Sequence, residues 1–178
     1  MKAAIRFEGA TGKWSSVTNS AIHNGHAWGV NFQSSANVKF HNNIVFGFKP
    51  IGVSMLTVAN ITFSDNIVAH IQERLDIKGE KFVDRRAGVT VCALEDNNIC
   101  RNLHITGNIV AGAAYGGFVV PGHNCGDHIN DSFKNNIAHS IAGYKGGVGA
   151  VIIPNPAEPT HATGCFEGAD FAAYKCDL

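Results

Sequence analysis

The chain has 178 residues, 45% of them hydrophobic, so it can bury a substantial core and is expected to form one domain. Its 14 basic and 14 acidic residues cancel and no basic stripe is present, which argues against nucleic acid as a partner. No apolar run approaches the roughly 18 residues of a membrane span, and the first residues lack the apolar core of a signal peptide.

A short phrase, Asn-Ile followed by Val or Ala, recurs along the chain. Its asparagines are Asn43, Asn66, Asn108 and Asn136, and each follows a second asparagine by six residues, namely Asn37, Asn60, Asn102 and Asn130. The first two copies lie 23 residues apart, which suits one coil of a parallel β-helix and is too short for paired-helix repeats of about 33 residues. An all-β solenoid of about five coils with two loop insertions is therefore predicted over residues 1–153.

Alternating residues in front of the phrase, such as Val38, Lys39 and Phe40, predict strands with their apolar side chains inside. The asparagines have two physical reasons to recur. Asparagine tolerates the left-handed backbone of a sharp bend, and its amide can bond to the same amide about 4.8 Å above and below. The two asparagine columns are therefore predicted to be structural ladders and not catalytic groups.

The amino-terminal segment fits the same repeat. Counting 23 residues back from Gly29 and Val30 reaches Arg6 and Phe7, so residues 5–7 are predicted to be a strand of an earlier coil that begins partway round. We expect the chain to continue from a longer protein, since solenoids need caps over their terminal coils and none precedes residue 5.

Two insertions lengthen the coil between Asn66 and Asn108. The first, residues 72–86, is densely charged, and we interpret it either as a soluble decoration or as a recognition loop held by a rigid scaffold. Its candidate recognition residues are Arg74, Lys78, Lys81, Arg85 and Arg86. The second insertion is bracketed by Cys92 and Cys100, which predicts a disulfide across that loop.

The cysteine and sequon patterns favour an oxidising, extracellular setting. Five cysteines leave one unpaired or paired outside the chain, and their connectivity cannot be read from sequence. N-glycosylation sequons occur at Asn60 and Asn130. Both asparagines belong to a ladder column, however, where inward-turned amides would resist modification.

Residues 123–128 hold the best local cluster of ligand-type side chains. His123, Asp127 and His128 are weak zinc candidates, but the spacing matches no standard zinc pattern and a disulfide-tethered turn is preferred, so no metal or cofactor is expected. No catalytic Ser-His-Asp or Cys-His set follows from the spacing. No two acidic residues stack in adjacent coils either, as a β-helix lyase or hydrolase needs.

Beyond Ile153 the sequence is rich in proline, which cannot continue a hydrogen-bonded strand. Residues 154–178 are therefore predicted to be an exit segment and a C-terminal cap or tail containing Cys165 and Cys176.

The segments most typical of a known family are Asn19–His23, Asn42–Gly47, Gly88–Cys92, Gly122–Cys125 and Asn135–Ser140. They resemble the parallel β-helix segments of fibrocystin and fibrocystin-like proteins, over most of residues 14–153. The resemblance implies a large secreted or membrane-anchored surface protein, and, with the preferred hand of parallel crossovers, a right-handed coil. Because the cell-surface hyaluronidases carry a related β-helix, carbohydrate chemistry is not excluded.

We therefore expect a non-catalytic structural or recognition module, a rigid rod within a larger secreted or cell-surface glycoprotein. Its expected partners are other domains of the same chain, further copies joined end to end into a filament, or glycans. The alternative function is a carbohydrate-binding or polysaccharide-degrading β-helix of the hyaluronidase or lyase kind.

Overall fold

The computed structural model describes residues 2–72, 87–92, 100–121, 132–143, 146–153 and 167–177. Within these ranges the secondary structure consists of strands: β1 Ala3–Thr18, β2 Ala21–His23, β3 Trp28–His41, β4 Ile44–Phe46, β5 Val53–Ser64, β6 Ile67–Ile71, β7 Ala87–Val91, β8 Cys100–Thr106, β9 Ile109–Ala113, β10 Gly116–Pro121, β11 Ser132–Lys134, β12 Ile137–His139, β13 Val148–Ile153, β14 Glu167–Ala169 and β15 Ala172–Tyr174.

The strands form two parallel sheets. Six strands pair in the order β15-β12-β9-β6-β4-β2, and nine form a second sheet, in which β13-β10-β7-β5-β8-β11-β14 is the main path and β1 and β3 extend from β5. Each strand pairs with the equivalent strand of the next coil, as when Ile44 aligns with Ile67 and Ile67 with Ile109. The predicted parallel β-helix is therefore confirmed.

Each coil has three faces. The first face contains the column of Val30, and the second face contains the column of Phe40. Both belong to the nine-stranded sheet, because β1, β3 and β5 each run through the two faces and bend between them. The six-stranded sheet is the third face and contains the column of Val45. We call the bend between the first and second faces, at residues 34–37 of β3, the corner.

Stacked apolar side chains fill the interior. Val30, Phe40, Val45 and their equivalents in the other coils form one continuous cluster of buried residues. The rings of Phe40 and Phe63, one coil apart, stack with centroids 5.6 Å apart. Period-two alternation thus produces the core, since each inward position repeats directly above its equivalent.

A glycine precedes the first inward valine of the first face in successive coils, at Gly29, Gly52 and Gly88, and the backbone passes very close to the next coil there. A Cβ atom on Gly52 would lie 2.5 Å from Val68 Cγ1 and 2.6 Å from the carbonyl oxygen of Gly88. Only glycine leaves room for this approach, so the glycine column is a packing requirement.

The amino-terminal segment forms the predicted strand, but its register differs from the expected one. Ile5 aligns with Val30 and Phe7 with Phe32, a separation of 25 residues, whereas we predicted that Phe7 aligns with Val30. From Ser15, which aligns with Val38, the separation is again 23 residues. Two register shifts between Glu8 and Ser15 account for the difference, and no fixed repeat length could have revealed them.

The coils extend beyond residue 153, after which we predicted an exit segment and a cap or tail. Strand β14 pairs in parallel with β11, and β15 pairs in parallel with β12. Residues 167–174 therefore add strands to the second and third faces.

Several predicted site residues lie outside the described residues. They are Arg74, Lys78, Lys81, Arg85 and Arg86 of the charged insertion, the ligand candidates His123, Asp127 and His128, and Asn130 of the second asparagine column. Within the described ranges, no helix has the length and apolar character of a membrane span.

Candidate functional surfaces

The inner asparagines form a hydrogen-bonded ladder at the bend between the second and third faces. Asn43, Asn66, Asn108 and Asn136 are all buried, at 1% exposure or less. The Nδ2 group of each donates to the Oδ1 of the next, at 3.2, 2.9 and 3.0 Å along the series. The backbone N–H of each also donates to that Oδ1, at 2.9 to 3.0 Å.

The second N–H of each ladder amide is also used. It donates to a backbone carbonyl of the preceding bend, such as Phe40 O for Asn66 at 3.0 Å and Phe63 O for Asn108 at 2.9 Å. The amides are therefore fully engaged in the scaffold. The left-handed conformation falls on the preceding positions, such as Asn42 (φ 53°) and Asp65 (φ 55°), and not on the ladder asparagines, which corrects our reason for the first column.

The second asparagine column lies at the corner and combines a left-handed backbone with a ladder of side-chain hydrogen bonds. Asn37, Asn60 and Asn102 have φ between 54° and 59°. Asn102 Nδ2 donates to Asn60 Oδ1 at 2.8 Å, and Asn60 Nδ2 donates to Asn37 Oδ1 at 2.9 Å. The sequon nitrogen of Asn60 is thus engaged in this half-buried ladder.

The outer side of the first face is buried along part of its length. Its outward positions Asn31, Ser54 and Thr90 stack on one another and are 1% exposed or less.

The outer side of the third face is apolar and carries no formal charge. One outward column contains Ile44, Ile67, Ile109 and Ile137, and the next contains His23, Phe46, Ala69, Ala111, His139 and Tyr174. Ile44, Phe46, Ile67 and Tyr174 are 40–50% exposed. We call this surface the apolar face. The exposed apolar side chains of these two columns make the apolar face a candidate interaction surface.

Imidazole rings stack on aromatic rings at two places on the apolar face. The rings of Phe46 and His70 are nearly parallel with centroids 5.2 Å apart, and those of His139 and Tyr174 are 5.0 Å apart. The rings of each pair therefore stack face to face between neighbouring coils.

The outer side of the second face is polar, with hydroxyl and imidazole groups in adjacent coils. His41 Nδ1 lies 2.9 Å from Ser64 Oγ and 3.3 Å from Asp65 Oδ2. A Ser-His-Asp relay requires the serine on one ring nitrogen and the carboxylate on the other. Here both groups contact Nδ1, so the three residues do not form a relay.

A groove of about 310 Å³ opens at the corner, and we call it the corner groove. Its lining residues come from three coils: Ser34, Ser35, Ala36, Thr57, Val58, Ala59 and Arg101. Ala36, Ala59 and Arg101 occupy one column, so two small side chains leave space and the third position supplies a cation.

The Cys92–Cys100 disulfide lies beside the corner groove. Cys100 aligns with Val58 of the previous coil, and the two Cα atoms of the disulfide are 6.3 Å apart. The cysteines thus bridge the point where residues 93–99 replace the single corner residue Thr57. The bridge holds the start of β8, and Arg101 is the next residue along that strand.

Sequence reasoning placed the ladders and the cysteine pair but missed both the apolar face and the corner groove. A signal for the apolar face was present, because the residue after each ladder asparagine is isoleucine and its outward direction follows from period two. The corner groove had no such signal. Among the described residues, no group of three or more His, Cys, Asp or Glu is arranged to hold a metal ion.

A family model described as "Right handed beta helix region" matches residues 2–140. Two curated relatives also match over 139 residues, which is 78% of this chain: fibrocystin of Mus musculus at 28% identity and fibrocystin of Canis lupus familiaris at 27% identity. The matched region is 3% of the length of each relative. No solved structure matches the chain.

Proposed function

The chain belongs to the family of right-handed β-helix regions, and we propose that it is a non-catalytic structural and recognition module of a larger extracellular protein. The observation that carries this proposal is the apolar face, an exposed surface without formal charge on a scaffold whose inner asparagine ladder is buried and hydrogen-bonded. The disulfide and the similarity to fibrocystin support an extracellular setting.

The size of the apolar face favours a neighbouring domain of the same polypeptide as its occupant. Six strands at about 4.8 Å and a width of two outward columns give roughly 24 Å by 10 Å, or about 250 Å². That is well below the roughly 800 Å² per partner of a stable complex between free proteins. Counted on both partners, the buried area would be about 500 Å². This area approaches the roughly 600 Å² lower bound for interfaces between domains of one chain.

Covalent attachment makes so small an interface sufficient, since a tethered domain is present at a high effective concentration. The chain spans only 3% of the length of the relatives that it matches, so such neighbours are a reasonable source of the occupant. A second mode of association is end-to-end assembly into a filament through the outer edges of β2 and β15, the terminal strands of the six-stranded sheet.

Hydroxyl-radical footprinting of the isolated chain and of its full-length parent tests the docking proposal. Phe46 and Tyr174 are expected to be oxidised in the isolated chain and protected in the parent. Trp14, which is 62% exposed and lies off the apolar face, is the matched control and should react equally in both. Equal oxidation of Phe46 and Tyr174 in both samples would refute docking through this face.

Two further assays separate the remaining parts of the proposal. Incubation with neutral and anionic polysaccharides should produce no new reducing ends, whereas cleavage would establish the degrading alternative. Electron microscopy of the intact parent distinguishes filaments from dispersed monomers, and monomers alone would exclude end-to-end assembly.

A further inference from the structure

Two stacked pairs of rings lie along the apolar face, and the coil between them carries a small side chain instead. The rings of Phe46 and His70 come from two adjacent coils, and those of His139 and Tyr174 come from the last two coils of the face. Ala111 occupies the equivalent position of the coil between the pairs. We call the space above Ala111, between the two stacks, the ring slot.

The backbone beside Ala111 leaves the ring slot open. The next residue, Gly112, is exposed and lies in the column of His70. A Cβ atom on Gly112 would have only the backbone N and Cα of His70 within 4 Å, at 3.8 and 3.9 Å. The His70 ring therefore leans away from Gly112 and toward Phe46, on which it stacks.

The spacing of the coils suits one inserted ring. His70 lies one coil before Ala111, and His139 lies one coil after it. Two coil spacings of about 4.8 Å place the two imidazoles roughly 10 Å apart. A planar ring midway would lie about 5 Å from each, within the usual range for stacked aromatic pairs. The two existing stacks have the same separation, 5.2 and 5.0 Å between centroids.

Both imidazoles that border the ring slot are held by a second contact. His70 Nε2 contacts the side-chain amide of Gln72, and His139 Nδ1 lies 3.2 Å from Ser140 Oγ. Ile109, an outward residue of the same strand as Ala111, provides an apolar side wall. A ring that enters the slot would thus meet two oriented ring faces at little cost in side-chain entropy.

We propose that the ring slot receives one aromatic side chain from a neighbouring domain of the same polypeptide. The inference rests on the proposed docking through the apolar face, and it names the group that anchors that docking. An interface of only about 250 Å² per partner depends on one or two anchors seated in a pocket, and such anchors are typically aromatic. The chain spans 3% of the length of its curated relatives, which favours a neighbouring domain as the source.

Other occupants fit the ring slot less well. An aliphatic side chain would leave the faces of two imidazoles without a ring to stack on. A guanidinium group also stacks on rings, but its charge would be partly desolvated against Ile109 and Ala111. The outward columns of the apolar face supply no carboxylate to pair with that charge.

NMR titration of the 178-residue chain tests the ring slot with three small probes. p-Cresol carries the ring of tyrosine, 4-methylcyclohexanol is its saturated counterpart, and ethylguanidinium carries the planar cation. We expect p-cresol to bind at least about fivefold more tightly than either of the others, since two stacked ring contacts, each worth about twofold or more, act together. The largest shifts should fall on His70, Gly112 and His139.

Four variants locate the binding. His139→Ala removes one wall of the slot and should weaken p-cresol binding about twofold to tenfold, whereas His139→Phe keeps a ring and should retain binding. Ala111→Phe fills the slot with a ring of the chain itself and should abolish p-cresol binding without lowering the urea midpoint. Lys39→Phe adds a ring at an exposed position of the second face and is the matched control, which should leave the Gly112 shifts unchanged.

Hydroxyl-radical footprinting of the full-length parent connects the ring slot to docking. In the parent, Ala111→Phe should abolish the protection of Phe46 and Tyr174 because the slot is already filled. If both residues stay protected in that variant, docking stands and the insertion of an aromatic side chain is overturned. If both are oxidised equally in the isolated chain and in the unaltered parent, docking and insertion fall together.

Two outcomes on the isolated chain would overturn the ring slot by itself. One is equal affinity for p-cresol and either of the other probes. The other is unchanged p-cresol binding in a folded His139→Ala variant. Neither outcome bears on docking through the apolar face, so a failure of the ring slot is distinguishable from a failure of the proposed function.

Discussion

Replacement of Asn66 by alanine tests the inner asparagine ladder most directly. The Asn66 amide takes part in four hydrogen bonds through its side chain. Its Nδ2 donates to Phe40 O at 3.0 Å and to Asn108 Oδ1 at 2.9 Å. Its Oδ1 accepts from the backbone N–H of Asn43 at 2.9 Å and from Asn43 Nδ2 at 3.2 Å. Alanine removes all four.

The expected loss of stability follows from the groups that remain. Asn43 N–H and Phe40 O would lose their ladder partners inside a buried bend, and each such buried group costs about 1–3 kcal/mol. Asn108 Oδ1 keeps the backbone N–H of Asn66 as a donor, so its loss is small. The free energy of unfolding should therefore fall by about 3–5 kcal/mol, a large share of the roughly 5–15 kcal/mol typical of a domain.

Equilibrium unfolding in urea measures this change as a shift of the midpoint at constant slope. Asn42→Gly is the matched control. It removes one exposed side-chain hydrogen bond, from Asn42 Nδ2 to Asn19 Oδ1 at 2.8 Å, and glycine still adopts the left-handed backbone of this position. The control should lose less than about 1 kcal/mol.

Two results would refute the reasoning. One is an Asn66→Ala variant within about 1 kcal/mol of the parent chain, which would mean that water or a local rearrangement satisfies the freed groups. The other is an equal loss in Asn42→Gly, which would mean that burial of the ladder adds nothing. A change of slope would instead indicate that the coils unfold separately.

Three further predictions follow from the scaffold. Gly52→Ala should cost about 1–3 kcal/mol because its Cβ would meet Val68 and Gly88, whereas Gly168→Ala, with open space around it, should be neutral in the same urea assay. Replacing Cys92 and Cys100 together by alanine should lower stability by about 2–3 kcal/mol, as for a short closed loop, and an unchanged urea midpoint would contradict this. Mass spectrometry of the secreted, folded protein should find Asn60 without a glycan, since its side-chain amide is hydrogen-bonded to Asn37 and Asn102. A mass at Asn60 that changes on deglycosylation would show that the sequon is occupied.

Much of the fold could be predicted from spacing because the parallel register repeats locally. The 23-residue interval between Asn43 and Asn66 is the length of one coil, and the structure pairs the following residues, Ile44 and Ile67, directly. The predicted register is wrong at Phe7. Two irregularities that follow it, between Glu8 and Ser15, change the length of one coil. Repeat arithmetic cannot detect an irregularity that occurs in a single copy.

The candidate sites were less predictable because they depend on neighbouring coils that differ from one another. His41, Ser64 and Asp65 meet only because successive coils stack, and the shared Nδ1 contact that excludes a relay is a matter of side-chain geometry.

The sequence by itself determined the parallel coil, the ladders and the cysteine pair, since each depends on one residue type returning at a fixed interval along the chain. Only the tertiary structure decided which surfaces are open. The corner groove exists because Ala36 and Ala59 happen to lie in line with Arg101, and the apolar face is exposed because no described segment covers it. Whether a groove or an exposed face exists depends on how side chains of neighbouring coils pack, and no single segment of the sequence contains that information.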